Sequence, residues 1–161
     1  MKGAERDRRA VSKSAAGLEA RRTALEILIA VEHRGSYADA MLGARVPALP
    51  PRDRRLTTRL VLGTIAWRAR LDYELEHFCG RDLARIQPEA LTIMRMGLLQ
   101  VRFLDRIAPH AAVSTSVELA KRSHEARAAA GFVNALMRRA TRERVALPAR
   151  SDDEVGWLAT A

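Results

Sequence analysis

The sequence predicts an all-α protein of about seven short helices, and three observations carry that prediction. Alanine, arginine and leucine, all helix-favouring, supply 73 of the 161 positions. The β-branched residues valine, isoleucine and threonine supply only 24, too few to build sheets in a chain of this length. Apolar residues recur at spacings of three and four, and no stretch alternates as a strand does. A hydrophobic content of 48% is ordinary for a globular protein and argues against general disorder. The length suits one domain or two small coupled bundles.

Local features justify each element in turn. Residues 1–17 read as a flexible basic arm, in which Lys2, Arg6, Arg8, Arg9 and Lys13 are interrupted by Glu5 and Asp7. From Leu18 to about His33, the residues Leu18, Ala24, Leu25, Leu28 and Val31 form one helical face, and Gly35 ends it. Ser36 is placed to cap a second helix, with Asp39 completing a capping-box variant. Met41, Leu42 and Val46 give that helix its apolar side, and Pro47, Pro50 and Pro51 stop it. Pro51 suits the first position of a third helix, whose rhythm runs through Leu56, Leu60, Gly63, Thr64, Trp67 and Leu71 to Phe78, with Gly80 closing the segment. An interior glycine costs about 1 kcal/mol relative to alanine, so Gly63 predicts a close helix–helix approach. Pro88 opens the next helix, with Leu91, Met94, Leu98 and Val101 in register, and a turn follows from Asp105 to Pro109. Two further helical patterns span Ala111–Lys121 and Ala128–Arg142. The domain is thus expected over residues 18–146, with 147–161 as the start of a linker.

Several functional classes fall away. Cys79 is the single cysteine, which excludes an internal disulfide and a Cys-x-x-Cys metal knuckle and favours a cytoplasmic location. No uncharged apolar run approaches the ~20 residues of a membrane span. The N-terminus lacks the apolar core of a secretory signal. Neither G-x-G-x-x-G nor G-x-x-x-x-G-K is present. His33, His77, His110 and His124 never fall three or four apart, so no helix face pairs them as metal ligands. Neither a neighbouring base nor a helix N-terminus is evident to lower the pKa of Cys79, and it reads as a core or boundary residue. These absences predict no metal, no membrane partner and no catalytic centre in this chain.

Arginine placement carries the positive signal. Of 28 basic residues 25 are arginine, and against 19 acids they leave a net charge of +9, which implies an acidic partner, most commonly nucleic acid. Arg21 and Arg22 follow the basic arm directly. A second concentration, from Lys121 to Arg150, holds Lys121, Arg122, Arg127, Arg138, Arg139, Arg142, Arg144 and Arg150 against Glu125 and Glu143. Arg138 and Arg142 lie one helical turn apart and can meet adjacent phosphates. Arginine suits this task because its planar fork binds phosphate in a bidentate manner. Arg8, Arg9, Lys13, Arg21, Arg22, Lys121, Arg138, Arg139 and Arg142 are therefore the candidate nucleic-acid-binding residues, and charge alone does not separate RNA from DNA. Most aromatics fall in apolar registers, with Tyr37 and Phe132 the candidates for exposure, so contact through backbone charge and shape is expected rather than base stacking.

Four stretches, taken in order, resemble a known family. They are Glu19–Leu25; Asp53–Thr64 with Arg70, Leu71 and Asp72 following; Met94–Gln100 through Phe103 and Leu104; and Pro109–Lys121 followed by Gly131–Arg139. Together they resemble the NusB-like domain at the N-terminus of RsmB-type (Sun/Fmu) 16S ribosomal RNA cytosine-C5 methyltransferases. The Gly131-Phe132-Val133-Asn134-Ala135 run followed by Arg138-Arg139 is closer to those methyltransferases than to stand-alone NusB antitermination factors, which tend to carry a Lys-Phe-Val-Asn-Gly pattern followed by an acid.

The resemblance implies an all-α fold of two packed three-helix bundles. It also implies an RNA-binding accessory domain that acts on small-subunit ribosomal RNA. Catalysis, S-adenosylmethionine and the motif cysteines would belong to a later domain, and no cofactor is expected in this chain. Arg21 and Arg22 match the basic opening of the family's first helix. The alternative is an antitermination factor that binds RNA and a ribosomal protein. Phe132 matches the aromatic at that protein interface, whereas Arg127 and Ala128 stand where the family has an acid.

Overall fold

The computed structural model describes residues 2–148, with side chains described from Gly17 onward. Among the described residues there are seven α-helices and no strand. The chain divides into two compact units, Met1–Val61 and Leu62–Ala161.

The first unit contains α1 (Lys2–Arg34), α2 (Ala38–Arg45) and most of α3 (Pro51–Ala66). Helical backbone in α1 starts well before Leu18, where the apolar rhythm begins; alanines and long basic side chains sustain helix without an apolar stripe. Along the described part, Leu18, Ala20, Ala24, Leu25, Ile27, Leu28 and Ala30 are buried. Gly35 ends the helix with φ +65°, as expected of a left-handed closing residue. Ser36 does not cap α2. Its amide instead donates to the Ala30 carbonyl at 3.2 Å and so belongs to the end of α1, leaving Tyr37 at the N-cap with no side-chain cap bond. Pro47 lies in a 3-10 turn, Val46–Ala48, that follows α2. Pro51 is the first residue of α3, as predicted. The Arg54 guanidinium donates to the Leu49 carbonyl at 2.7 Å, and the buried Thr57 hydroxyl donates to the Ala20 carbonyl at 3.1 Å, tying α3 to α1.

The predicted run from Pro51 to Gly80 is broken at Trp67, where α4 (Arg68–Cys79) begins. Trp67 leaves helical geometry at φ −98° and ψ 12°, although its amide still bonds Gly63 and its carbonyl still accepts from Leu71. Its ring stacks on Phe103 with centroids 4.5 Å apart, and the Arg70 guanidinium lies over the Phe103 ring at 5.0 Å. This break leaves no trace in the apolar period.

In the second unit α4, α6 (Pro109–Arg122) and α7 (Ala130–Arg142) surround α5 (Pro88–Phe103). Every residue of α5 from Ala90 to Gln100 is buried, including three polar ones. The Gln87 side chain caps the helix by accepting from the Ala90 amide at 2.7 Å. Arg95 forms a bidentate pair with Asp72 at 2.6 and 2.9 Å. Two glycines set helix approaches. A Cβ on Gly63 would stand 2.9 Å from Leu99 Cδ2, which is the close approach expected there. At Gly97 a Cβ would stand 2.5 Å from Ser116 Oγ and 2.8 Å from Met137 Cε, so α5, α6 and α7 meet at this residue.

Candidate nucleic-acid interface

The sequence-predicted arginines do not share one environment. Arg8, Arg9 and Lys13 lie outside the described side chains. Arg21 is 5% exposed, donates to the Gly17 carbonyl at 2.7 Å and senses the buried Asp53. Burial pushes its pKa down to about 10; Asp53 opposes that shift and Arg52 adds to it. Adjacent residues on a helix point ~100° apart, so Arg22 emerges where Arg21 does not. It bonds Glu19 at 2.6 Å and Glu26 at 3.3 Å, and Arg45 also reaches Glu26, at 2.9 Å. The hydrogen bond between them raises the Arg22 pKa and lowers that of Glu19. The two arginines that the sequence sets side by side therefore divide into a buried structural one and a surface one held in an acidic lattice.

In the second unit the basic residues divide in the same way. Lys121 is exposed at the end of α6, and Arg122 beside it pairs with Glu118 at 2.6 Å. Arg138 and Arg142 are exposed and lie on one face of α7, with no ion pair to any described residue. Gly131 and Ala135 precede them on that face and are also exposed, whereas Ala130, Val133, Leu136, Met137 and Ala140 are buried opposite. The exposed stripe thus carries two residues with little side chain and then two unpaired cations. Arg139 points elsewhere: it donates to the Phe78 carbonyl at 3.1 Å, pairs with Glu143 at 2.9 Å and lies 5.5 Å from the Phe78 ring centre.

Phe132 is half-buried rather than free, with the Arg81 guanidinium 4.6 Å from its ring centre. Tyr37, by contrast, is 82% exposed. Cys79 is half-buried at the end of α4, and burial pushes its thiol up from the ordinary range. No group of His, Cys, Asp and Glu among the described residues could hold a metal ion, and no described helix is long and apolar enough to cross a membrane.

One basic feature escaped the sequence reading. Arg52, Arg55 and Arg59 on α3 are all exposed and make no ion pair with described residues. Their spacing of three and four was available from the chain. It was masked by the apolar rhythm of the same helix and by Asp53, which interrupts the charge run.

Residues 18–142 match the model of the NusB family. The chain is 34% identical over 140 residues to a probable ribosomal RNA small subunit methyltransferase B of Bacillus subtilis, covering 85% of this chain and 31% of that protein. It spans about a third of the length of the curated methyltransferases it matches. It is also 36% identical over 107 residues to the transcription antitermination protein NusB of Saccharopolyspora erythraea, covering 64% of this chain and 72% of that protein. In fold it is similar to the solution structure of NusB from Aquifex aeolicus, with a TM-score of 0.63 at 20% identity over 86% of this chain and 99% of that one. The all-α architecture, the four ordered sequence stretches and a family match running from α1 to the end of α7 agree: this chain belongs to the NusB family.

Proposed function

We propose that this NusB-family domain binds RNA and holds small-subunit ribosomal RNA for a cytosine-C5 methyltransferase, through arginine–phosphate contacts made from α7. The observation that carries the reading is the exposed stripe of Gly131, Ala135, Arg138 and Arg142. Its two small residues let a polyanionic backbone approach the helix, and its two cations are ion-paired with no described residue, Glu143 being engaged by Arg139. An arginine already paired must give up one partner to gain another, so unpaired guanidinium groups contribute most to phosphate binding. Lys121 adds exposed charge in the same unit. The methyltransferase relatives support ribosomal RNA as the ligand. In this reading S-adenosylmethionine and the transfer of the methyl group belong to the part of those relatives that this chain does not span, and these helices contribute binding alone.

A salt-titrated binding curve with a labelled small-subunit ribosomal RNA stem-loop and a shuffled RNA of equal length tests the reading. Each phosphate neutralised contributes about −0.7 to −0.9 to the slope of log K against log salt. The expected result is a steep slope, tighter binding of the ribosomal sequence, and a slope reduced by about 1.5 in Arg138→Gln/Arg142→Gln. Absence of binding at low salt overturns it. In that case the second reading gains, an antitermination-type factor that joins a ribosomal protein, which rests on coverage of 72% of the antitermination relative. Phe132 under Arg81 is then the contact to test, by retention on an immobilised small-subunit ribosomal protein.

A further inference from the structure

Three of the four exposed arginines of α3, Arg52, Arg55 and Arg59, form one narrow stripe. At 100° per residue, Arg52, Arg59 and Arg55 fall within about 60° of the helix circumference. Asp53, Thr57, Leu60 and Val61 are buried on the remaining arc. The acid nearest in sequence, Asp53, is thereby turned inward to Arg21 and does not neutralise the stripe. Other exposed arginines of this unit are engaged, Arg22 with Glu19 and Glu26, Arg45 with Glu26 and Arg54 with the Leu49 carbonyl, while Arg34, at the end of α1, has no ion pair among the described residues. Arg52, Arg55 and Arg59 share no such lattice, and repulsion from Arg52 is felt even at the buried Arg21.

Three like charges one turn apart oppose one another, by a few tenths of a kcal/mol per pair on an isolated helix. A fold gains nothing from that arrangement unless an anion occupies it. The stripe rises over about 10 Å, long enough to meet more than one phosphate of a strand. An acidic peptide would meet the stripe through separate flexible carboxylates, whereas a strand of RNA presents charges at a regular interval along a line.

We propose that Arg52, Arg55 and Arg59 form a second phosphate-binding surface, on the first unit, that takes the backbone of one RNA strand independently of sequence. This rests on the RNA reading above and deepens it: the domain holds its RNA through two separate stripes rather than one. No base-reading group accompanies the stripe, so selectivity resides elsewhere and this surface supplies affinity.

The test compares the full chain with three variants in the same salt titration, using the labelled ribosomal stem-loop between 50 and 200 mM salt. The stripe variant is Arg52→Gln/Arg55→Gln/Arg59→Gln. A scattered variant of equal charge, Arg34→Gln/Arg85→Gln/Arg106→Gln, removes three exposed arginines from three separate segments of the chain. A charge-keeping variant, Arg52→Lys/Arg55→Lys/Arg59→Lys, separates charge from helix stability. The stripe variant is expected to lower the slope by about 2, so that salt weakens it roughly fifteen-fold less across this range. The scattered and charge-keeping variants are expected to stay within about 0.5 of the wild type. A stripe variant equal to the wild type, or no different from the scattered one, overturns the proposal while leaving RNA binding by α7 intact. A wild type that binds no RNA at low salt overturns both readings. A stripe effect beside an unaffected Arg138→Gln/Arg142→Gln variant sustains the α3 surface and removes α7 from the contact.

Discussion

Arg102 closes on Glu74 with Nε 2.7 Å from Oε2, and both side chains are about 2% exposed. The same guanidinium donates to the Ala140 carbonyl at 2.9 Å and the Glu143 carbonyl at 3.0 Å, so it also satisfies the end of α7. Glu74 receives a second, longer contact from Arg70 at 3.4 Å. One buried cation from α5 thus joins α4 to the helix that carries Arg138 and Arg142. Removing one partner of a buried pair strands the other charge, whereas an apolar pair of similar volume can replace both. Arg102→Met is therefore expected to lower the unfolding free energy by about 3 kcal/mol or more, and Arg102→Met/Glu74→Leu to recover most of that loss. Urea denaturation of the two variants measures it; equal losses in both would deny the pair its structural role.

Arg21 sits next to a surface arginine in sequence but is buried against Gly17 and Asp53. Burial disfavours its charged form, so the folded chain releases this proton near pH 10 while the unfolded chain holds it to a higher pH. Below about pH 10 both states bind the proton and the whole penalty opposes folding. As pH rises above about 10 the unfolded state binds more protons, and the stability attributable to Arg21 increases. The difference in unfolding free energy between wild type and Arg21→Met is expected to move in favour of the wild type from pH 9 to 11. An Arg21→Ala/Arg22→Ala double variant is consequently no clean probe of RNA contact, because its first change alters the core and its second the surface.

Gly63 and Gly97 look alike in sequence, both interior to helices, yet they predict different outcomes. An alanine methyl at Gly63 meets the end of the flexible Leu99 side chain, which can rotate away, and the helix gains about 1 kcal/mol of propensity. At Gly97 the methyl meets Ser116 Oγ, which is buried and bonded to the Ala112 carbonyl at 2.8 Å, as well as Met137. Gly63→Ala is expected to stay within about 1 kcal/mol of the wild type, and Gly97→Ala to lose about 1–3 kcal/mol through overpacking. Thermal unfolding distinguishes them, and a Gly97→Ala variant as stable as Gly63→Ala would mean that α6 can yield.

The contrast between these residues marks how far the sequence is legible. Pro51, Pro88, Gly35 and Gly80 act through their own backbone limits, and their positions at helix ends are readable without a fold. The apolar stripe of α5 is readable too, but its burial on every side is not: Thr92 and Gln100 turn their polar ends to the Pro88 and Met96 carbonyls one turn back, and Arg95 meets Asp72 on α4 only after folding. Trp67 ends α3 and stacks on Phe103, a ring distant in sequence, and Ser36 loses its capping role to the closing turn of α1. For the candidate site, charge density in the sequence pointed to α7. It could not separate an arginine that serves the fold from one that faces outward, and it passed over the α3 stripe where an inward-facing acid hid the face in the linear count.

Arg138 and Arg139 put that separation to a direct test. Both belong to one dibasic pair, yet Arg138 is exposed and unpaired with any described acid, while Arg139 is bound to the Phe78 carbonyl, the Phe78 ring and Glu143. Arg138→Gln is expected to reduce the salt slope of RNA binding by about 0.7 and leave thermal stability unchanged. Arg139→Gln removes a bond that helps hold α7 to α4 and is expected to cost about 1–2 kcal/mol of stability, with a smaller change in slope. Guanidinium groups engaged in the fold release few counterions when RNA arrives, because they are already partly neutralised. A larger slope change in Arg139→Gln than in Arg138→Gln would show that Glu143 yields to phosphate, and would move the contact surface toward α4.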